Sequence, residues 1–372
     1  MKKIAIVTSS EFPACEGVGT YIMSISRAAI RNGWQVTIIS RSYISNDLLV
    51  LKSKNLRFLK FKTSRFPILN NIVFAKKLNK YFTKNAFNVI NIQTPLVGFK
   101  KPNLCKAKII ATVHSTMKFD TTFIELVSIK ALLNKIAGLT YSPIFESFLF
   151  KEADKIICVS EEVRDEVSSY NKEFLKKTFV IPNCIDFESF KKVDISRKKT
   201  ITCIGRIGYR KGIMQILQAV LNIKHKLLEE GFIVNFVGHG PLLEDLNRFI
   251  ERNELNKIVK VFSVAQEEVP QLLSESMFTL MASTYETGPR VVLEAMSCGT
   301  PVIATKVGLL RGFPDNIYIK IDETAAHSIE NKILSSISMS SKKYHELSEA
   351  SFQYVKTNHD IDKIWDKYED VF

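Results

Sequence analysis

The sequence predicts an α/β protein made of two consecutive doubly wound domains with largely parallel sheets. Three observations carry that expectation. Continuous apolar, β-branched runs of strand length, not alternating ones, recur along the 372 residues, as strands covered on both faces require. Longer stretches of helical period separate them and complete a βαβ rhythm. The rhythm pauses once, in a charged, loop-like stretch from Glu188 to Lys199, and then restarts.

In the first half the expected strands are Lys3–Thr8, Val36–Ser40, Leu56–Phe61, Val89–Ile92, Ile109–Val113, Lys155–Val159 and Phe179–Ile181, with helices such as Thr20–Arg31, Ile72–Thr83 and Glu161–Tyr170. In the second half they are Thr200–Ile204, Ile233–Val237, Val259–Phe262, Phe278–Met281, Val302–Ala304 and Ile317–Ile319. The helices there are Ile213–Glu229, Pro241–Glu251, Glu268–Ser274, Arg290–Ser297 and Ala325–Ser335. A last amphipathic helix, Ile361–Phe372, sets Ile361, Ile364, Trp365, Tyr368 and Val371 at helical spacing. The expected domains are therefore 1–183 and 184–355, followed by a terminal segment, 356–372. Ligands of such folds sit beyond the carboxyl ends of the strands.

With 46% hydrophobic residues the chain can bury real cores, which excludes disordered and small-scaffold classes. Its charge is lopsided. Residues 1–150 hold 22 Lys and Arg against 6 Asp and Glu, an excess of +16 within a total of +14, so the remainder is close to neutral. A single-signed half calls for an anionic partner: membrane lipid, nucleic acid or a phosphorylated substrate. The six cysteines are scattered, without a CxxC pair or a zinc spacing, and read as reduced thiols. Met1-Lys2-Lys3 followed by Ile4–Val7 is too short in its apolar run for a signal peptide and reads as a first strand. No run of 18 apolar residues occurs, so any membrane contact is expected to be peripheral.

The densest chemical signal runs from Ser283 to Ala304, STYETGPRVVLEAMSCGTPVIA. Pro289 suits the first position of a helix, and the amides around Gly288 to Val291 could hold a diphosphate. Glu286 lies in the loop; Glu294 lies five residues into the helix, about 7–8 Å along its axis. That spacing fits one carboxylate near a sugar and one near a ribose. A solvated helix face with an acidic first turn would give the same pattern, although Leu293, Ala295 and Met296 surround Glu294 with apolar residues.

Gly205-Arg206-Ile207-Gly208-Tyr209-Arg210-Lys211-Gly212 follows a strand, and its cations Arg206 and Lys211 could clamp two phosphates. A basic surface turn is the alternative, and the spacing is not that of a Walker loop. Gly17 and Gly19, in PACEGVGTY, permit close backbone approach at a helix start. Gly238-His239-Gly240-Pro241 serves as a tight connection at the least. His114 ends a strand on the edge where such folds keep their chemistry, or it is structural.

Taken together these residues resemble the retaining glycosyltransferases of family 4. The resemblance spans P-x-x-x-G-V-G-T-Y at the start, His114, Ala153-Asp154-Lys155 with Val159-Ser160, Ile181–Asp186, Arg206 with Lys211, Gly238–Pro241, and Glu286/Glu294 followed by E-A-M-x-C-G-x-P-V-I-A. It implies the GT-B fold, two facing Rossmann-like domains with the last helix crossing back onto the first. It further implies that Arg206 and Lys211 bind the diphosphate of a UDP- or GDP-linked sugar and that Glu294 holds the ribose. Glu286, with Thr287, Gly288 and Pro289, would address the sugar, and His114 would sit by its C6 hydroxyl. Gly17 and Val18 would face the distal phosphate and the Val264 backbone the base. Four positions depart from the family pattern: Glu16, Cys184, His239 and Leu309.

The function implied is sugar transfer with retention to a hydroxyl of a saccharide or lipid-linked saccharide, as in lipopolysaccharide, capsule or glycolipid synthesis. A phosphate oxygen would take the acceptor's proton, and neither metal nor cofactor is expected. The one D-x-D, Asp360-Ile361-Asp362, reads as a helix cap. Two alternatives are a nucleotide-sugar 2-epimerase on the same fold and a non-catalytic basic binding protein. Nucleic-acid signatures are lacking. Because the donor falls to the neutral half, the basic half is assigned to the acceptor side, on the inner face of a cytoplasmic membrane. Lys76, Lys77, Lys80 and Lys84, on a helix with Phe74, Leu78, Tyr81 and Phe82, are the candidate contacts with anionic lipid; an ordinary solvated helix face is the alternative.

Overall fold

A computed structural model describes the chain apart from residues 13–16, 44–47, 64–66, 97–98, 104, 123–128, 141 and 191–194. It divides into two units, Met1–Pro182 with Trp365–Phe372, and Asn183–Ile364.

The first unit is built on β1 (Lys3–Glu11), β2 (Gln35–Ser42), β3 (Leu48–Ser53), β4 (Leu56–Lys62), β5 (Val89–Gln93), β6 (Lys108–Val113), β7 (Lys155–Cys158) and β8 (Thr178–Val180). Their order is β3-β4-β2-β1-β5-β6-β7-β8. All neighbours are parallel except β3 and β4. Helices α1 (Gly17–Arg31), α2 (Pro67–Lys84), α3 (Met117–Thr122), α4 (Ile129–Thr140), α5 (Ser142–Glu152) and α6 (Glu161–Tyr170) connect them. The antiparallel edge strand β3 and the helices α3 to α5 were not anticipated. Elsewhere the apolar runs locate the strands to within a few residues. The core packs Phe74, Leu78 and Phe82 of α2 and Phe150 of α5 against Ile90, Ile92, Ile109 and Ile156 of the sheet.

The second unit holds β9 (Lys198–Ile204), β10 (Ile233–Val237), β11 (Val259–Phe262), β12 (Ser276–Met281), β13 (Val302–Thr305) and β14 (Ile319–Ile321). They pair all in parallel as β11-β10-β9-β12-β13-β14. Helices α7 (Ile213–Asn222), α8 (Lys224–Glu230), α9 (Leu243–Arg252) and α12 (Ala326–Ile337) contribute to one core. Helices α10 (Val269–Glu275), α11 (Arg290–Ser297) and α13 (Ser341–Asn358) contribute to the other. The single helix expected over 213–229 is thus two, parted at Ile223. The last strand begins two residues later than expected, because Ile317 is taken up by a turn onto Pro314. Helix α13 is not among the helices the sequence predicts.

The terminal segment also differs from the expectation. Its helix, α14, covers only Trp365–Val371. Asp360 Oδ1 accepts from the Asp362 N–H at 3.1 Å, and Asp360 O accepts from Lys363 and Ile364, so a capped turn precedes the helix. Ile361 and Ile364 therefore bury with the second unit, and Trp365, Tyr368 and Val371 with the first. Tyr21 and Tyr368 join their hydroxyls at 3.3 Å, and Lys155 Nζ donates to Asp370 O at 2.7 Å.

Trp365 retains 2% of its surface. Trp365→Ala is expected to cost about 3–5 kcal/mol, read by calorimetry as a lowered melting temperature of the first unit; an unchanged transition would show that α14 adds nothing to that core.

Candidate functional site

Parallel pairing delivers the carboxyl ends of β9 and β12 side by side, at the point where the strand order of the second sheet reverses. The turn after β9 carries Arg206 and Lys211, and the loop after β12 carries Glu286. Lys211 Nζ stands 2.5 Å from Glu286 Oε1, with only 25% and 16% of the two side chains exposed. Ser283 Oγ donates to the same carboxylate oxygen at 3.1 Å. The Thr284 N–H donates to Arg210 O at 2.9 Å and ties the two loops together. Arg206 is exposed and lines, with Gly205, Lys211 and Met281, a small cavity at the strand ends.

The turn after β13 supports this loop from beneath. Gly308 adopts φ +55, and a Cβ there would fall 2.4 Å from Glu286 O, so the backbones approach as only glycine permits. Leu309, the departure from the family pattern, is buried in the core and donates its N–H to Thr287 O at 3.1 Å. The turn therefore requires one glycine.

Glu294 is buried, not on a solvated face, with 7% of its surface exposed. Burial raises its carboxyl above the usual range, and the Arg290 guanidinium opposes the rise. Arg290 Nε lies 3.6 Å from Glu294 Oε1, and Arg290 Nη1 donates to Cys184 O at 2.7 Å. Position 184 thus serves this contact through its carbonyl, which a cysteine supplies as well as any residue. Asn183 Nδ2 donates to Gly288 O at 2.7 Å. Pro289 caps α11 from outside instead of opening it, and it has no N–H to offer an anion. Val264 is half-buried against the core. His239 Nε2 pairs with Ser263 Oγ at 2.8 Å.

In the first unit Gly17 opens α1 with Val18 behind it; Glu16 lies outside the described residues. His114 follows β6. Its Nε2 lies 2.9 Å from Gln93 Oε1, and its ring meets Tyr21 edge-on with centroids 4.7 Å apart. Gln93 Nε2 in turn donates to Asn91 Oδ1, which also accepts from Thr112 Oγ1, at 2.9 and 2.8 Å.

Two buried carboxylates that the sequence did not advertise hold the segment behind His114. Glu166 accepts from the Thr116 N–H at 2.9 Å and from Thr116 Oγ1 at 2.8 Å. Glu146 Oε2 accepts from the Met117 N–H at 2.9 Å and from the Tyr170 hydroxyl at 2.7 Å. Burial, opposed by those two hydrogen bonds, pushes the Glu146 carboxyl up to about 7.

Comparison with known proteins places the chain in a family. Residues 16–189 match the family model described as Glycosyltransferase Family 4, and residues 185–354 the model described as Glycosyl transferases group 1. The chain belongs to glycosyltransferase family 4. This family 4 chain is 27% identical over 327 residues to the alpha-monoglucosyldiacylglycerol synthase of Streptococcus pneumoniae, covering 81% of this chain and 70% of that protein. It is 25% identical over 350 residues to the phosphatidylinositol N-acetylglucosaminyltransferase GPI3 subunit of Saccharomyces cerevisiae, covering 88% and 73%. Among solved structures, the sucrose-phosphate synthase of Thermosynechococcus elongatus superposes with a TM-score of 0.78 at 18% identity over 100% and 98% of the two chains. Anabaena HepE, solved with UDP and glucose, gives 0.74 at 15% over 100% and 99%. The glycosyltransferase fold is GT-B, with two parallel-sheet α/β domains.

On α2 the apolar partners of the lysine cluster are consumed by the core: Phe74, Leu78 and Phe82 are buried. Lys76, Lys80 and Lys84 are exposed and Lys77 half-buried, so that helix presents mainly charge, with Ile72 as its one large apolar residue exposed among those described. Among the described residues no helix is long and apolar enough to cross a membrane.

A carboxyl held at about 7 in the folded glycosyltransferase against 4.5 ordinarily binds its proton more tightly in the native state. Its contribution to stability is complete below the lower value and is lost as pH rises to the upper one, a change of up to about 3 kcal/mol. Between those limits the melting temperature of the wild type should fall relative to that of Glu146→Gln; parallel curves would refute the shift.

Proposed function

We propose that this chain is a retaining, metal-independent transferase that moves a sugar from a UDP- or GDP-linked donor to a hydroxyl of a lipid or lipid-linked saccharide on the cytoplasmic face of a membrane. The observation that carries the reading is the meeting of Lys211 and Glu286 between adjacent strand ends, with Arg206 beside them and Glu294 buried below. An arriving diphosphate would compete with Glu286 for the Lys211 ammonium. Lys211 and Arg206 would then neutralise the charge that develops on the departing nucleotide, without reorganisation at the moment of bond cleavage. The released Glu286 carboxylate, still beside Ser283, is left to address the sugar. Glu294, already desolvated, is suited to accept hydrogen bonds from the ribose hydroxyls, with Val264 toward the base.

In the first unit His114, held by Gln93 and Tyr21, would serve the sugar, and Gly17 and Val18 at a helix start would serve the phosphates. The acceptor class is supported by the diacylglycerol and phosphatidylinositol in the names of the two relatives. The excess of cations over residues 1–150 suits an anionic surface.

Thermal-shift titration with UDP- and GDP-sugars should raise the melting temperature with one base only. Glu286→Ala is expected to lower turnover roughly 10²–10³-fold, with the fold intact by circular dichroism; unchanged turnover refutes its place at the sugar. Turnover should survive EDTA, and the product should keep the anomeric configuration of the donor by NMR.

A further inference from the structure

The strongest feature left unused by this reading lies on α4 and α5. Leu132, Ile136 and Leu139 of α4 and Ile144, Phe145 and Phe148 of α5 expose between 40% and 63% of their surface. Positions 132, 136 and 139 share one helical face, as do 144, 145 and 148. The orientation is fixed from the opposite side. A Cβ on Gly138 would fall 2.0 Å from Thr121 Cγ2, so α4 turns its other face to α3. Glu146, Leu149 and Phe150 of α5 are buried. The two helices thus point a run of large apolar side chains outward, the reverse of a surface helix in water.

Charge selects the occupant. Residues 129–151 contain Lys130, Lys135 and Lys151 and a single acid, Glu146, whose carboxylate is buried on the inner side. Beside the ridge, Lys118, Ser147, Ser169 and Tyr170 line a cleft together with Ile144. A cation and hydroxyls next to exposed aliphatic and aromatic groups match the order of a phospholipid surface, phosphate above acyl chain. A soluble protein partner would not require both, and the basic excess of the first 150 residues points to the same anionic surface.

We propose that the α4–α5 ridge is the membrane-docking surface. Its six apolar side chains enter the acyl boundary of an anionic bilayer, and Lys118 lies at headgroup level in the adjoining cleft. The assignment rests on the lipid-acceptor reading and moves the apolar part of the contact from α2 to α4 and α5. Interfacial helices bind through buried apolar area together with attraction to anionic lipid, and the second part weakens with salt.

The full chain should co-sediment with phosphatidylcholine vesicles containing phosphatidylglycerol, and less so at high salt. Ile144→Ser with Phe148→Ser should lower that binding at least tenfold, while Lys76→Gln with Lys80→Gln lowers it only a few-fold. Phe148→Trp keeps the ridge apolar, and the fluorescence of that variant should shift to the blue when vesicles are added. Wild-type sedimentation by the double serine variant, a failure of the wild type to bind any vesicle, or an emission from the Phe148→Trp variant that vesicles leave unmoved would each overturn the proposal. The melting-temperature shift given by the donor nucleotide is measured alongside. Its presence in the serine variant shows that the variant is folded, and its absence from the wild type would remove the transferase reading without touching the vesicle result.

Discussion

Parallel pairing is the constraint from which everything else in this molecule follows. Strands that run the same way must be joined by crossovers, so all turns of one kind collect on one edge of each sheet. In the second unit this makes neighbours of the turn after β9 and the loop after β12, some 75 residues apart in sequence at Lys211 and Glu286. In the first it sets Gln93, at the end of β5, beside His114, just beyond β6. Neither arrangement needs a long-range motif. Adjacent strands and turns of the right length are enough.

The charges on that edge are held in pairs by their own neighbours. Lys211 and Glu286 restrain each other, and Arg290 stands by Glu294 while its other nitrogen holds the Cys184 carbonyl. Around them the backbone is pinned by Arg197. Its guanidinium donates to Ser274 O, Ser276 O, Cys298 O, Gly299 O and Thr300 Oγ1, at 2.7 to 3.2 Å. One side chain thereby fixes the start of β12 to the end of α11, the two ends of the segment that carries Glu286 and Glu294. Rigidity at the site is thus borrowed from a residue outside it.

Much of this was legible in the sequence. Continuous apolar runs betray buried parallel strands, and glycine and charge at strand ends betray the turns that hold Arg206, Lys211 and Glu286. What escaped did so for physical reasons. The buried stripe of α13 is Tyr344, Ser348, Ser351 and Val355, and its two serines conceal the apolar period while donating to Gly299 O and Ile317 O. Arg197 lies in a charged stretch that reads as solvated loop, and only the fold reveals its five partners. Glu146 and Glu166 look like surface acids until the helices turn them inward onto Thr116 and Met117. The apolar faces of α4 and α5 look like core until the same packing turns them out.

The short helix that closes the first unit follows the whole of the second unit in the chain. Residues 183–364 form a complete unit between the two pieces of the other, so during synthesis the second unit can finish folding while the first still lacks Trp365 and Tyr368. Until those residues emerge, the hydroxyls of Tyr21 and Tyr368 cannot meet, and the edge of Tyr21 that faces α14 is not yet covered. A nascent chain can therefore own an intact second unit before the first is closed by α14.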